Sequence, residues 1–435
     1  MDPLVIAAIV IVTVLVALGS GLWVFAGLLL TSLACFHFLL DFPVQRIGAT
    51  SRPVVLRAVT TFELAAVPLF IWMGEIISRS TVATRLFQGL TPWVIRVPGG
   101  LLHANVGGSV LFSAMSGSSV ATTATIGRVT ARELLGRGYD PGLVLGSITV
   151  AGTIGIMIPP SIALIIYGLV AEVSVAQLFA AGVLPGLMLG ALYSGYIALR
   201  CMATSGLTPV ETAAFGWRER LRALAQLAPV VLLIVFLLGS IYGGYATPSE
   251  SAAVGVLGAI LIAGAMGGLT LRKLWETALS AVLTTAMIGS AFAGAALLAT
   301  AIGFLHIPHT VSQAIGALDL TPLVLLLGIT LIYILLGCVL DGISMILMTV
   351  PITLPILIMN GYDPIWVGIY LVLMIEIGLV TPPVGFNLFV LRGVTGQPIG
   401  RIARATFPFF LVMLLGGALL IAFPQIALWL PGVLR

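Results

Sequence analysis

Two polar stretches interrupt long apolar runs, and their residue types suit the binding of an ion. The first is Ser116–Thr123, which holds five hydroxyl side chains together with Gly117. The second is Asp341-Gly342, whose carboxylate lies between two apolar arms, 223 residues after Ser118. Hydroxyl groups, carboxylates and the carbonyls of unwound backbone supply the oxygens that Na⁺ takes as ligands. The sequence therefore predicts cation binding at both stretches.

Both stretches also admit a structural interpretation. Small residues such as Ser116–Ser119 let two helices pack closely, which is compatible with ion binding. A carboxylate at bilayer depth costs on the order of 3 kcal/mol on insertion scales, and it is retained where it pairs or binds an ion. Asp341 could instead cap the helix that begins near Ile343.

A double proline interrupts two further apolar runs. Pro159-Pro160 and Pro382-Pro383 are again 223 residues apart. Proline lacks a backbone N–H and clashes with the preceding turn, and it pushes the residue before it out of the α region. Each run is therefore predicted to be a helix broken near its middle, with bare carbonyls that only protein or a wet cavity can satisfy. Two such breaks in corresponding places indicate the binding site of a transporter.

The same offset relates a third pair of motifs. Gly138-Tyr139-Asp140-Pro141 recurs as Gly361-Tyr362-Asp363-Pro364. Motifs that share one ungapped offset indicate a duplication of about half the chain. We predict a first repeat at 1–203, a polar cytoplasmic connector at 204–226 and a second repeat at 227–435. Each repeat is predicted to hold a re-entrant hairpin and a broken helix, at 99–136 and 140–172 in the first and at 322–359 and 363–391 in the second.

The composition is that of a polytopic membrane protein. The 435 residues are 60% hydrophobic and 8% charged, with a mean hydropathy of +1.20, whereas a soluble domain carries about 25% charged residues. The three cysteines lie in apolar stretches, which argues against a disulfide framework. The sequence has no phosphate-binding loop, and its histidines lack metal-ligand spacing. We therefore expect an all-α membrane protein that is not an enzyme.

Apolar runs of roughly 20 residues give the predicted spans. Besides the two broken helices, full spans are predicted near 4–19, 22–40, 57–79, 178–203, 227–245, 250–268, 275–303 and 403–430. Two shorter mixed segments, 81–95 and 306–318, are predicted to lie along the membrane interface. Ten crossings put both termini on one side of the membrane.

The distribution of arginine sets the orientation. Arginines follow the first hairpin, at 128, 132 and 137, whereas no lysine or arginine flanks the second hairpin near Asn360. The first hairpin therefore opens to the cytoplasm and the second to the outside, so that the two repeats are inverted and both termini lie outside. Three arginines do not fit this orientation, because it places them in an outside loop: Arg46, Arg52 and Arg57. An interfacial segment or a partner subunit would account for them.

Other polar residues within the apolar runs have open roles. Thr381 and Asn387 lie on either side of the second double proline and could offer oxygens opposite Asp341, although an interhelical hydrogen bond is an equal alternative for Asn387. Glu376 lies deeper, and both a functional and a structural pairing stay open. Four glutamates near span ends are expected to make interfacial or subunit contacts: Glu63, Glu75, Glu172 and Glu250.

With these motifs in order, the sequence resembles the large membrane subunit of tripartite ATP-independent periplasmic (TRAP) transporters. The resemblance is carried by Ser116–Thr122, Gly155–Ser161, Asp341-Gly342, Thr349-Val350-Pro351 and Thr381–Gly385. It implies an elevator-type, Na⁺-driven importer of an organic acid, either a carboxylate or a sialic-acid-like compound, in the bacterial inner membrane. It also implies two partners, a small four-helix membrane subunit and a periplasmic substrate-binding protein.

The resemblance further implies where the ligands bind. One Na⁺ site would be formed by Ser116, Gly117, Ser118, Ser119, Gly155 and Pro159. A second Na⁺ site would be formed by Asp341, Gly342, Thr381 and Gly385. Substrate would lie between the two hairpin tips, within reach of Thr122, Ser161 and Asn387.

Three other functions compete with this interpretation. A related Na⁺- or H⁺-coupled anion transporter could work alone, without a binding protein. A channel would place equivalent pore elements around an axis, whereas inverted halves with opposed hairpins favour alternating access. An intramembrane hydrolase would need a base close to Ser116 or Ser119, and no histidine neighbours them in sequence.

Overall fold

The structure, a computed structural model, describes residues 3–209, 215–317 and 321–434, in which the regular secondary structure is helical throughout. The first half contains α1 (Pro3–Gly19), α2 (Val24–Ala34), α3 (Val44–Thr60), α4 (Ala66–Ser78), α5 (Val82–Val94), α6 (Leu101–Ser116), α7 (Ser119–Gly136), α8 (Pro141–Thr153), α9 (Ile162–Ala171) and α10 (Val175–Ala203). The second half contains α11 (Trp217–Tyr242), α12 (Pro248–Ala265), α13 (Leu271–Phe304), α14 (Ile307–Ala317), α15 (Pro322–Gly337), α16 (Gly342–Met359), α17 (Pro364–Leu379), α18 (Phe386–Thr395), α19 (Ile399–Ala422) and α20 (Gln425–Val433).

Helix boundaries recur at the spacing of the sequence motifs. Helices α7 and α16 both have 18 residues and start 223 positions apart. Helices α8 and α17 start at the matching prolines, and the preceding aspartates, Asp140 and Asp363, accept backbone N–H groups as N-caps. The duplication therefore extends from the motifs to the helices around them. The division of the chain at 203 and 227 stays a prediction.

The described part of the chain is that of a multi-pass membrane protein. Six helices are long and apolar enough to cross a bilayer, and a bent pair, Val44–Thr60 with Phe62–Ser78, makes a seventh candidate. The six are α10, α11, α12, α13, α16 and α19. Shorter apolar helices include α1, α8, α9, α15 and α17. The two mixed segments predicted at 81–95 and 306–318 correspond to the separate helices α5 and α14, with residue 318 outside the described ranges.

Two predicted span boundaries were wrong. The span near 57–79 included the end of α3, because the extended backbone of Thr61 (φ −62°, ψ 130°) separates α3 from the next helices at an angle of 46°. Helix α11 begins at Trp217, within the predicted connector at 204–226, of which 210–214 are outside the described residues. The last span near 403–430 stops at Ala422, since Pro424 pushes Phe423 out of helical geometry.

The helices form two groups. In the first, which we call the frame, α4 packs against α12 and α13, and α13 also packs against α2 and α3. In the second, which we call the hairpin group, α7 packs against α8 and α18, α15 against α17, and α16 against α9. The frame comprises α1–α4 and α11–α13, and the hairpin group comprises α6–α10 and α15–α20. Helices α5 and α14 contact both groups, and the groups also meet where α4 contacts α6 and α13 contacts α16.

Candidate functional site

The tip of the first hairpin is a tight turn between α6 and α7. Gly117 has a left-handed conformation (φ +59°), which a residue with a side chain would rarely adopt. Ser118 then caps α7 by accepting the N–H of Ala121 at 3.3 Å. The hydroxyls of Ser116 and Thr122 lie 2.8 Å apart, and Thr122 donates to the carbonyl of Ser118. The tip therefore concentrates oxygen atoms in a small buried volume.

The first broken helix meets this tip directly. After α8 the chain makes a 3-10 turn at Ile154–Ile156 and passes through a cis peptide bond between Pro159 and Pro160, and α9 begins at Ile162. A Cβ atom added to Gly155 would lie 2.6 Å from the carbonyl oxygen of Ser118. The N–H of Ile162 faces the carbonyl of Gly117 at 3.4 Å. Only a glycine at position 155 allows the break to approach the tip this closely.

The second hairpin places Asp341 at the start of α16. Its Oδ2 accepts the N–H groups of Ile343 (3.1 Å) and Ser344 (3.2 Å), and Oδ1 accepts the hydroxyl of Ser344. The capping interpretation is therefore confirmed, and Ser118 caps α7 at the equivalent position. The N–H groups that Asp341 accepts are neutral and do not cancel the negative charge of a carboxylate. Asp341 can therefore still attract a cation.

The second broken helix repeats the pattern with more exposure. The peptide bond between Pro382 and Pro383 is cis, as at the first break, but these prolines are exposed whereas the first pair is buried. Gly385 has a left-handed conformation (φ +52°), and its N–H faces the carbonyl of Cys338 in the second hairpin at 3.3 Å. The hydroxyl of Thr381 donates to the carbonyl of Ile377 at 2.6 Å. The second half of the site is therefore the more open one.

The two hairpin tips share one cavity of about 100 Å³. Serines and a glycine of the first tip line it together with the start of α16, and Ile156 and Leu379 contribute from the two breaks. The structure thus brings together five of the predicted site residues: Gly117, Ser118, Ser119, Asp341 and Gly342. Residues separated by 223 positions in sequence therefore face one another in space.

The other predicted residues lie just outside this cavity. Ser161 is buried, caps α9 and donates to the carbonyl of Ile156 at 2.5 Å, which occupies its hydroxyl. Asn387 donates to the hydroxyl of Ser119 at 2.7 Å, an interhelical hydrogen bond that joins the second repeat to the first tip. The remaining predicted residues form the tips and breaks behind the lining: Ser116, Thr122, Gly155, Pro159, Thr381 and Gly385. Whether they bind Na⁺ or substrate stays a prediction.

Two buried oxygens near the first tip lack hydrogen-bond partners in the described part of the chain. They are the side-chain oxygens Thr123 Oγ1 and Asn387 Oδ1. Buried polar atoms are normally paired, so an unpaired one needs an explanation such as a bound ion or water. In the sequence, Thr123 was one of five hydroxyl residues at the tip and was not singled out as a ligand.

Gly74 is a functional candidate that sequence reasoning missed. It lies in α4 of the frame, and a Cβ atom there would lie 2.9 Å from the carbonyl oxygen of Ser116. The frame therefore touches the first hairpin backbone to backbone at this point. A single glycine within a long apolar span gives no such signal until its partner is known.

A larger cleft of about 720 Å³ opens between the frame and the hairpin group. It is lined by α3 and α13 on one side and by α9 and α16 on the other, and Arg57 approaches Glu172 across it at 3.5 Å. Both side chains are largely exposed, so this ion pair contributes little stability.

The three arginines that did not fit the predicted orientation lie on α3, a largely exposed helix, where Arg46 stacks over Phe42. This exposure fits both explanations for them, an interfacial segment and a partner subunit.

The chain matches the sequence model of a transporter family. Residues 9–426 match the family described as "Tripartite ATP-independent periplasmic transporter, DctM component". The ectoine/5-hydroxyectoine TRAP transporter large permease protein UehC of Ruegeria pomeroyi is 35% identical over 89% of this chain and 88% of the relative. The C4-dicarboxylate TRAP transporter large permease protein DctM of Pseudomonas aeruginosa is 35% identical over 85% of this chain and 86% of the relative.

The fold is similar to that of a solved structure. The crystal structure of the Alcanivorax borkumensis YdaH transporter aligns with a TM-score of 0.63. The alignment covers 88% of this chain and 90% of that one, at 14% sequence identity. At that identity the likeness concerns the fold.

Proposed function

Because the chain belongs to the DctM component family of tripartite ATP-independent periplasmic (TRAP) transporters, we propose that it imports an organic acid together with Na⁺ across the bacterial inner membrane. Substrate arrives from a periplasmic binding protein, and a small four-helix membrane subunit completes the complex. One observation carries the proposal: two hairpin tips and two broken helices from opposite halves of the chain converge on one cavity. The relatives named for C4-dicarboxylates and ectoine support a substrate with a carboxylate group.

The charge around the cavity favours coupling between the ion and the substrate. Its lining residues include Asp341 but no lysine, arginine or histidine. An organic anion placed beside Asp341 would be repelled, and like charges interact strongly where the dielectric constant is low. Bound Na⁺ offsets this repulsion, so the anion binds well only when the cation is present. The same attraction raises the affinity for Na⁺ when substrate is bound, because coupling between two sites is reciprocal.

The division into two groups of helices supports movement of the site across the membrane. The hairpin group contains both tips and both breaks, so it can move as one body against the frame. The weak, exposed contact between Arg57 and Glu172 can break during such a movement at little cost. Helices α5 and α14 contact both groups and can act as the connecting arms.

Proteoliposome uptake tests the proposed function. The chain is reconstituted with its small subunit, and uptake of labelled organic acids is measured with an inside-negative potential. We expect uptake only with both an inward Na⁺ gradient and the binding protein. Uptake that is unchanged when choline replaces Na⁺ would contradict ion coupling. Na⁺-driven uptake without any binding protein would instead support a stand-alone anion transporter.

Substitution of Gly74 tests the movement. Gly74→Val puts a branched side chain against the backbone of Ser116, and overpacking of this kind costs about 1–3 kcal/mol. We expect uptake to fall about tenfold, because the hairpin group can no longer dock on the frame in this position. Gly239→Val is the matched control: Gly239 lies in α11 of the frame with no atom within 4 Å of an added Cβ. Equal uptake by the two variants would show that the close contact between Gly74 and Ser116 is not needed for the movement.

A further inference from the structure

Glu376 is a fully buried carboxyl group that the proposed transport cycle does not use. It lies on α17, less than a turn before the chain leaves the helix toward the second break, and it is 0% exposed. Its Oε2 lies 3.4 Å from the hydroxyl of Thr153, which ends α8 just before the first break. Thr153 and Glu376 are themselves 223 positions apart. Equivalent positions of the two repeats therefore touch each other where the two broken helices pass.

The hydroxyl of Thr153 has two possible acceptors, and it can donate to only one of them. A threonine hydroxyl has one proton, and that of Thr153 is 2.9 Å from the carbonyl oxygen of Val150. The same proton could go to Oε2 of Glu376 instead, but the shorter contact favours Val150, which leaves Thr153 as an acceptor toward Glu376. The 3.4 Å contact with Glu376 is then a hydrogen bond only when the carboxyl group supplies the proton. The resulting chain runs from Glu376 through Thr153 to Val150.

The surroundings of Glu376 disfavour a bare carboxylate. Its Oε1 has no hydrogen-bond partner in the described part of the chain, and no described lysine, arginine or histidine forms an ion pair with it. Tyr193 on α10 is a fully buried neighbour of Glu376, and its neutral hydroxyl, which has no hydrogen-bond partner in the described part of the chain, supplies no charge to balance a carboxylate. Both α8 and α17 end close to Glu376, and helix C-termini carry partial negative charge. An unpaired buried carboxylate in such a place is very costly.

We propose that Glu376 holds a proton that is not transported, and that the neutral acid is a positioning residue which ties the first broken helix to the second through Thr153. Glu376 is fully buried and lines neither the cavity between the tips nor the outer cleft. The hydrogen bond fixes the relative position of the two breaks, which present their carbonyls to the site. This inference rests on the hydrogen-bond geometry and does not require Na⁺ coupling.

Infrared spectroscopy of the purified chain tests the protonation. The difference spectrum of wild type minus Glu376→Gln at neutral pH should contain the carbonyl band of a protonated carboxylic acid. The difference spectrum with Asp341→Asn, a carboxylate that is partly exposed, should show carboxylate bands instead. Absence of the acid band for Glu376 would overturn the proposal. Failure of Na⁺-driven uptake in general would leave this result unaffected.

A second measurement separates a held proton from a transported one or a bound cation. Glutamine keeps an N–H donor for Thr153, so Glu376→Gln should keep the melting temperature, and uptake should stay within about twofold with the same dependence on Na⁺ and on pH. Glu376→Ala should lower both, since it leaves Thr153 and Tyr193 facing a void. A folded Glu376→Gln variant whose uptake is lost, or whose pH or Na⁺ dependence changes, would show that the carboxyl group releases its proton or binds the ion.

Discussion

Replacing Asp341 with asparagine is expected to lower the apparent Na⁺ affinity of uptake by about thirtyfold. Two unit charges about 4 Å apart attract by about 4 kcal/mol at an effective dielectric constant of 20. Asp341 is partly exposed, so we expect about half of that, near 2 kcal/mol, to be lost, which is roughly thirtyfold in affinity. Asparagine is as good an N-cap as aspartate, so α16 should stay folded. The measurement is the Na⁺ concentration that gives half-maximal uptake.

Asp363 provides the control for this substitution. It caps α17 by accepting the N–H groups of Ile365 and Trp366, as Asp341 does for α16, but it lies at the far end of its helix from the break. Asp363→Asn should leave the Na⁺ dependence unchanged. An unchanged Na⁺ response in the Asp341 variant would remove this carboxylate from the ion site. Equal losses in both variants would mean that the caps matter and the charge does not.

Adding one methyl group at Gly155 is expected to abolish most transport. The Cβ of alanine would lie 2.6 Å from the carbonyl oxygen of Ser118 and 2.8 Å from Oγ1 of Thr122. The first of these is backbone, so the tip and the break must separate by several tenths of an ångström or more. Overpacking costs about 1–3 kcal/mol, and the displaced oxygens no longer converge on one point. We expect Gly155→Ala to lower initial uptake rates by tenfold or more.

Gly195→Ala is the control for this substitution. Gly195 lies within α10, where an added Cβ meets nothing within 4 Å. Alanine is the better helix former, so uptake and melting temperature should stay at or above wild-type values. Wild-type uptake by the Gly155 variant would show that the first break does not have to contact the tip for transport.

Residues with strong local effects made much of this fold predictable from sequence. Pro159-Pro160 and Pro382-Pro383 break their helices wherever the rest of the chain lies, because the missing N–H and the ring clash are local properties. Asp140 is followed by proline, as is Asp363, and in each pair the aspartate caps a helix. The shared offset then linked these local signals into two repeats.

Other features depend on partners that a linear sequence does not show. The bend at Thr61 occurs without a proline or glycine there, so hydropathy joined the end of α3 to α4 as one span. The closeness of Gly74 to Ser116 and of Thr153 to Glu376 depends on packing between distant helices. The same limit applies within the site. The hydroxyl of Ser161 donates to the carbonyl of Ile156, a contact that the linear sequence does not show, and its role in substrate binding stays a prediction.

The most direct test of the shared site is an experimental density map of the chain in lipid with Na⁺ and a transported organic acid. We expect separate density for an ion at each tip, near Ser118 with Gly155 and near Asp341 with Thr381, and density for the acid between them. A matched map with choline in place of Na⁺ should lack both ions and the acid. Empty tips in the Na⁺ map, with the acid bound elsewhere, would contradict a binding site formed by the two hairpins and the two broken helices.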